Sequence, residues 1–324
     1  MTLWVDDASN EETANDHMLM VSSPSLVKQV VRDQDITFAN RDPPIAGLVA
    51  SFGGNDILFS NYGPEWRKLR KLFVGKLMSN ASLDACYALR KQENMLWGEA
   101  LELREKGISN LGAELKFKLA ELVVLMGTQN ISDIIPCFHG LIYKKVQEEL
   151  AQVVGMDSCV EEFHLPKLKY LDAVVKETFR LHSVPYLVPR RASQSSSIGG
   201  YTVPKDTTII LNVWAIHRDP QIWDNPLEFG PEKFFNDGIA SKFDYSGNNF
   251  QYLPFGAGRR MCAGIALAER MLMFVLASLL HSFDWKLPAG TKLDLSEKFG
   301  ILIKKKEPLV AIPTPRLPNS ELYQ

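Results

Sequence analysis

Residues 254–264 read PFGAGRRMCAG, and the apolar run IALAERMLMFVLASLL follows directly. Three glycines, the pair Arg259–Arg260 and Cys262 fall within eleven residues. Gly256 and Gly258 permit backbone conformations and close approaches that a side chain forbids. A flat, bulky ligand can therefore lie against this loop. Cys262 stands just ahead of the apolar run, which reads as a buried helix, and the positive end of a helix suits an anionic sulfur. Gly264 lets that helix pass close to whatever the sulfur holds, and Arg260 is within reach of an anionic edge of the same ligand. A lone thiolate, a flat ligand and cations at its rim describe haem with a proximal cysteine. The bland reading of any single cysteine is an inert buried thiol in a glycine-rich turn.

The rest of the chain bounds that reading. Apolar residues make up 46% of the 324 and charged residues 23%, an ordinary globular composition. A net charge of −2 argues against a nucleic-acid partner. Cys86, Cys137, Cys159 and Cys262 show no CxxC spacing, which argues against a zinc site or a disulfide scaffold. The first residues, MTLWVDDASNEETAND, are acidic and polar, unlike a signal peptide. The apolar run after Cys262 is broken by Glu269 and Arg270, so no transmembrane segment is expected.

The spacing of apolar residues predicts a mainly α chain with small β-sheets. Helices are expected over Ser23–Gln34 (with a serine cap), Gly63–Leu77, Ser82–Lys106, Leu111–Met126, Tyr143–Val154 and Leu168–His182. Short strands are expected at Leu187–Arg190 and within GGYTVPKDTTIILNVW, with a hairpin turn at Pro204–Asp206.

The pattern Phe255-x-x-Gly258-x-Arg260-x-Cys262-x-Gly264 resembles the haem-binding signature of the cytochrome P-450 family, five fixed positions across ten residues. KETFRLH carries Glu177 and Arg180, three apart and so on one helix face. Taken alone this is a surface ion pair. The resemblance implies a buried pair, locked by an arginine of a downstream P-E-R-F element. That element is Pro231-Glu232-Lys233-Phe234 here. Lys233 cannot make the planar, two-pronged contact of an arginine, so a looser lock is expected. Trp66 and Arg70, one helical turn apart in WRKLR, resemble the residues that hold the haem propionates; a core tryptophan beside a solvated arginine is the alternative. Arg190 stands where relatives direct a cation at a propionate, with Arg191 the competing choice.

The resemblance covers residues 21–324 as one domain after an atypical polar stretch, 1–20. It implies the cytochrome P-450 fold, haem b as cofactor with Cys262 as iron ligand, and NADPH only indirectly, through a reductase. It also implies a small lipophilic substrate and a place on the cytosolic face of the endoplasmic reticulum. NVWAIHRDPQIWDNPLEFGPEKF and HSFDWKLP resemble plant members that hydroxylate terpenoids, phenylpropanoids and related metabolites. Against this pattern the amino-terminal anchor and early strands are expected to be missing, with further deletions near 95–109 and 140–144. The second removes the distal helix and its acid–threonine pair, which serves as a proton relay. Gly127-Thr128 is the one Gly-Thr nearby, and no acid sits beside it. No catalytic residue is therefore assigned. The alternatives to a monooxygenase are a hydroperoxide-rearranging haem-thiolate enzyme, which needs no such relay, and a non-catalytic remnant.

Overall fold

The computed structural model describes residues 18–51, 53–88, 91, 140–298 and 304–323. The expected helices beyond residue 91 and before 140, together with Thr128 and Cys137, lie outside them. In chain order the elements are β1 (Met18–Val21), α1 (Pro24–Lys28, running on as a wider π-turn over Gln29–Asp33), α2 (Ile45–Ala50) and α3 (Pro64–Leu72, continued likewise over Phe73–Leu77). Then come α4 (Asn80–Ala85), α5 (Leu141–Val153), α6 (Lys169–Leu181), β2 (Leu187–Arg191), β3 (Ser196–Ile198), β4 (Tyr201–Val203), β5 (Thr208–Asn212) and α7 (Val213–Ile216). The last are α8 (Ile265–Ser282), β6 (Phe283–Lys286), β7 (Glu297–Lys298), β8 (Lys304–Lys305) and β9 (Ile312–Pro315). Among the described residues the architecture is helical with four small sheets.

The chain folds into two compact units, each assembled from separate stretches. The first comprises Met1–Ser79, Pro185–Glu228 and Lys242–Ile265. Its sheet has the order β1-β5-β2, with β1 parallel and β2 antiparallel to β5. The central strand, TIILN, is β-branched and aliphatic, and Ile209, Ile210 and Leu211 are buried. Val27, Val30 and Val31 recur at helical spacing on α1 and join the same core with Phe38 and Leu253. Each such side chain, fully buried, contributes about 1.5–3 kcal/mol.

The strand at Met18–Val21 was not expected, because polar neighbours masked it; MLMV pairs with β5 from Met18↔Thr208 to Val21↔Leu211. The hairpin turn is also corrected. Pro204–Asp206 does not join paired strands: β4 pairs with β3, and β5 with β1 and β2. The hairpin turn is Gly199–Gly200, at φ 59° and 86°, the left-handed backbone that a tight two-residue turn needs. Ser23 begins α1 through its backbone carbonyl, with no hydroxyl cap; Pro24 already presets the first turn.

The second unit comprises Asn80–Val184, Phe229–Ser241 and Ala266–Gln324. Its centre is α6, buried at ten positions from Tyr170 to Leu181. The Glu149 carboxylate on α5 accepts from Tyr170 N and Leu171 N at 2.7 and 2.9 Å, closing the start of α6. Helix α8 alone among the described residues is long and apolar enough to cross a bilayer. Its carboxy half is buried at Met273, Phe274, Leu276, Ala277 and Leu280, and Arg270 pairs with Asp84 at 2.5 Å.

Candidate cofactor site

Most of the predicted site residues fall in the first unit, around the cysteine loop. Its approach is fixed by aromatic packing. Trp223, Phe243, Tyr252 and Tyr245 touch in series, and Tyr245 meets Phe255 edge-on at 5.2 Å. Buried His217 accepts the amide of Leu253 at its Nε2, 2.9 Å away. Within the loop, Gly258–Arg260 form one turn of 3₁₀-helix. The Cys262 amide donates to Phe255 O at 2.9 Å, which closes the loop behind an exposed thiol.

Two of the glycines serve different ends. A Cβ on Gly264 would meet nothing within 4 Å, and the same holds for Gly256, so space lies open along the loop. Gly258, at φ 65°, is the opposite: a Cβ there would fall 2.3 Å from Val31 O.

Four arginines gather beside the loop. Arg70 donates from Nη2 to Met261 O at 2.7 Å. Arg260 is buried and donates to Ala39 O at 2.5 Å and to Ser60 O, its guanidinium lying 4.3 Å from the Trp66 ring centre. Arg190, 1% exposed, donates from Nη2 to Ala257 O at 2.7 Å. Arg41 donates to Pro189 O. Trp66 is a platform for this cluster; its indole N–H is occupied by Ile57 O at 2.8 Å, and Arg70 lies over its ring as well. Arg260 is likewise mainly a strut between backbone carbonyls.

The arginines feel each other. Burial first, then repulsion from Arg41 and Arg70, lowers Arg260 to about 10. Burial alone brings Arg41 to about 10. Burial, then Arg41, drives Arg190 well below the usual arginine range. Asp35 and Asp56 are the carboxylates that act against this. Arg190 Nε and Nη1 and Arg41 Nε are closed off from solvent without an acceptor. A buried, under-neutralised cluster with unmatched donors demands an anion with several acceptor oxygens. Carboxylates at the edge of a flat ligand over Gly256 and Gly264 meet that demand, so these residues fit haem.

Strand alternation sends Arg190 and Arg191 to opposite faces of β2, and only Arg190 is buried. Arg191, next along β2, is half-exposed and pairs with Asp42 at 2.8 Å and Asp206 at 3.5 Å. Arg41 escaped the sequence reading, since one arginine in FANRDPP carries no spacing signal of its own.

In the second unit Glu177 and Arg180 are fully buried. Arg180 donates from Nε and Nη2 to the two carboxylate oxygens at 2.6 and 2.8 Å. Gly230 N adds a bond at 2.8 Å, and Lys233 Nζ stands 3.3 Å from Glu177 Oε1. The lysine thus reaches one oxygen, where an arginine would present a fork.

The cytochrome P-450 family model matches residues 11–135 and 139–312. The chain belongs to the cytochrome P-450 family. Membership makes it a haem-dependent monooxygenase by family, with a redox partner and a small substrate. It is 30% identical to a flavonoid 3'-monooxygenase of Petunia hybrida, over 93% of this chain and 84% of the relative. It is 50% identical to a geraniol 8-hydroxylase of Swertia mussotii, over 53% of this chain and 35% of that one. The fold is that of a zebra fish cytochrome P-450 solved with progesterone, at TM-score 0.76 and 22% identity, covering 97% of this chain and 96% of that one. The Petunia alignment runs over 429 residues yet spans a chain of only 324, so the shortfall includes internal gaps.

Proposed function

We propose that this cytochrome P-450 holds haem b through Cys262 and is by descent a hydroxylase of small lipophilic plant metabolites of the terpenoid or phenylpropanoid kind, with turnover impaired in this chain. The observation that carries the cofactor assignment is Arg190, a buried cation with two donor nitrogens unmatched beside an exposed cysteine. The named activities of relatives, on flavonoids and on geraniol, support the substrate class. Haem with a thiolate ligand supplies activation of dioxygen, with electrons passed from NADPH by a reductase. The chain's own residues do the rest. Arg190, Arg70 and Arg41 hold the propionates, with Trp66 and Arg260 bracing them. Phe255 O and Arg70 hold the two polar groups of the Met261–Cys262 peptide just ahead of the sulfur. Glu177, Arg180 and Lys233 keep the scaffold of the second unit rigid. Residence at the endoplasmic reticulum membrane belongs to the same reading.

The proposal includes an impaired turnover. The family match breaks at 136–138, next to the junction at 140–144 where the distal helix with its acid–threonine pair is expected. Replacing Cys262 by Ser should abolish the red-shifted Soret band of the reduced carbon monoxide complex. Persistence of that band in the variant would overturn the ligand assignment.

A further inference from the structure

We propose that Asp35 is a positioning residue for the cysteine loop: its carboxylate holds the backbone of Gly258–Arg260, and through it the sulfur of Cys262. The inference rests on the reading of Cys262 as the haem ligand. Asp35 follows the π-turn that ends at Asp33. Both its oxygens accept the amide of Arg259, Oδ1 at 3.2 Å and Oδ2 at 3.0 Å. The side chain is 15% exposed, while its ion-pair partner, Arg259 Nε at 3.5 Å, is 42% exposed. An exposed pair of that kind is worth little; the contact to the backbone amide, made by both oxygens, is the shorter and the one that fixes the chain.

The stretch around Asp35 grips the loop at three successive points. Val31 O lies against Gly258, so closely that a Cβ there would be 2.3 Å away and also 2.7 Å from Asp35 Oδ1. Asp35 takes the amide of Arg259. Ala39 O takes Nε of Arg260 at 2.5 Å. Of the three, Val31 and Ala39 contribute backbone carbonyls, which any residue provides. Only Asp35 uses a side chain, so only there does the grip depend on residue type. The amide it holds lies three residues before the cysteine. Between them the Gly258 O to Met261 N bond at 3.0 Å and the Phe255 O to Cys262 N bond at 2.9 Å pass the constraint on. Charge matters less. Arg190, Arg259 and Arg260 all act on Asp35, and burial opposes its ionisation. A hydrogen-bond acceptor of the same shape should therefore serve the backbone nearly as well as the anion.

The test uses the full chain with Asp35→Asn and Asp35→Leu. The first readout is amide hydrogen exchange of the haem-free protein over residues 256–261, with residues 208–212 as a control for global unfolding. Asp35→Leu should speed exchange at Arg259 and Met261 at least tenfold and leave the control unchanged. Asp35→Asn should stay within about threefold of wild type. The second readout, after haem loading, is the share of reduced carbon monoxide complex absorbing at the thiolate-ligated Soret position. That share should fall at least fivefold in Asp35→Leu and persist in Asp35→Asn. Unchanged exchange in Asp35→Leu would overturn the proposal, as would faster exchange with an undiminished thiolate share. If control residues exchange faster as well, the residue is a general stability element and the proposal also fails. A wild-type chain that loads haem without any thiolate band would overturn the Cys262 reading, while the exchange data would still decide whether Asp35 holds the loop.

Discussion

Arg190 and Arg191 are chain neighbours with opposite fates. One is sealed inside with donors unmatched, and the other trades with two aspartates at the surface. A buried charge without a partner destabilises the fold that contains it. Arg190→Met should therefore raise the melting temperature of the haem-free chain while weakening haem retention. Loss of charge-assisted hydrogen bonds worth about 1.5–3 kcal/mol corresponds to roughly 10–150-fold faster haem transfer to an acceptor protein, at tenfold per 1.4 kcal/mol. Arg191→Met should alter neither quantity measurably. If both variants lower melting and spare haem, the cluster is structural. Phe255, Gly258, Arg260, Cys262 and Gly264 could be singled out in the sequence because one short loop carries them all. Which arginine faces inward was not, since β2 alternates and one-residue register is invisible until β5 is in place. Arg41 shows the same limit: its importance comes from Arg190 and Arg260, far away in sequence.

Helices carry the second set of consequences. On α6, Glu177 collects Arg180, Gly230 N and Lys233. Removing one member of a buried pair costs about 3–5 kcal/mol, so Glu177→Ala should leave little folded protein at 37 °C, seen as loss of the cooperative melt. Lys233→Arg should be neutral or stabilising, because the fork can reach a second oxygen. At the end of α8, His281 is fully buried with Nε2 3.0 Å from Ser158 O. Burial, more than the nearby Arg316 charge, lowers its pKa below 6.5. An unfolded imidazole binds its proton near 6.5 and the folded one only at lower pH. Stability is thus complete above pH about 6.5 and falls on acidification below it. One proton sets the ceiling at ~1.4 kcal/mol per pH unit. Urea midpoints at pH 7 and pH 5.5 should converge in His281→Gln relative to wild type, with a residual slope from His164, which burial also lowers. The helices at Lys169–Leu181 and Leu141–Val153 were legible from their period within a residue or two. The sheet was not. β1 and β5 lie nearly two hundred residues apart, and pairing over that distance leaves no local trace.

For the whole molecule the question is turnover. The chain aligns with relatives through gaps as well as matches, and the expected acid–threonine pair has no counterpart in the sequence near Thr128. Loaded with haem and supplied with a plant reductase and NADPH, the 324-residue chain should form no product from flavonoids or monoterpene alcohols. Inserting a relative's distal segment between Gly140 and Lys144 should restore substrate-dependent product. Product from the uninserted chain that required Cys262 would overturn the expectation of impairment. Fold class and family were open to sequence reading because the signature loop is local. The assembly of each unit from three separate stretches was not, since it is written only in contacts.

The glycine at 258 carries a lesson about inheritance. It is hemmed in by the carbonyl oxygen of Val31, an atom common to every amino acid. A change of side chain at position 31 leaves that oxygen where it is, so no such change can make room for a Cβ at 258. Positions coupled side chain to side chain change together and betray each other in a collection of descendants. A position coupled to bare backbone simply stands still, and its partner, free to vary, keeps no record of the constraint it imposes.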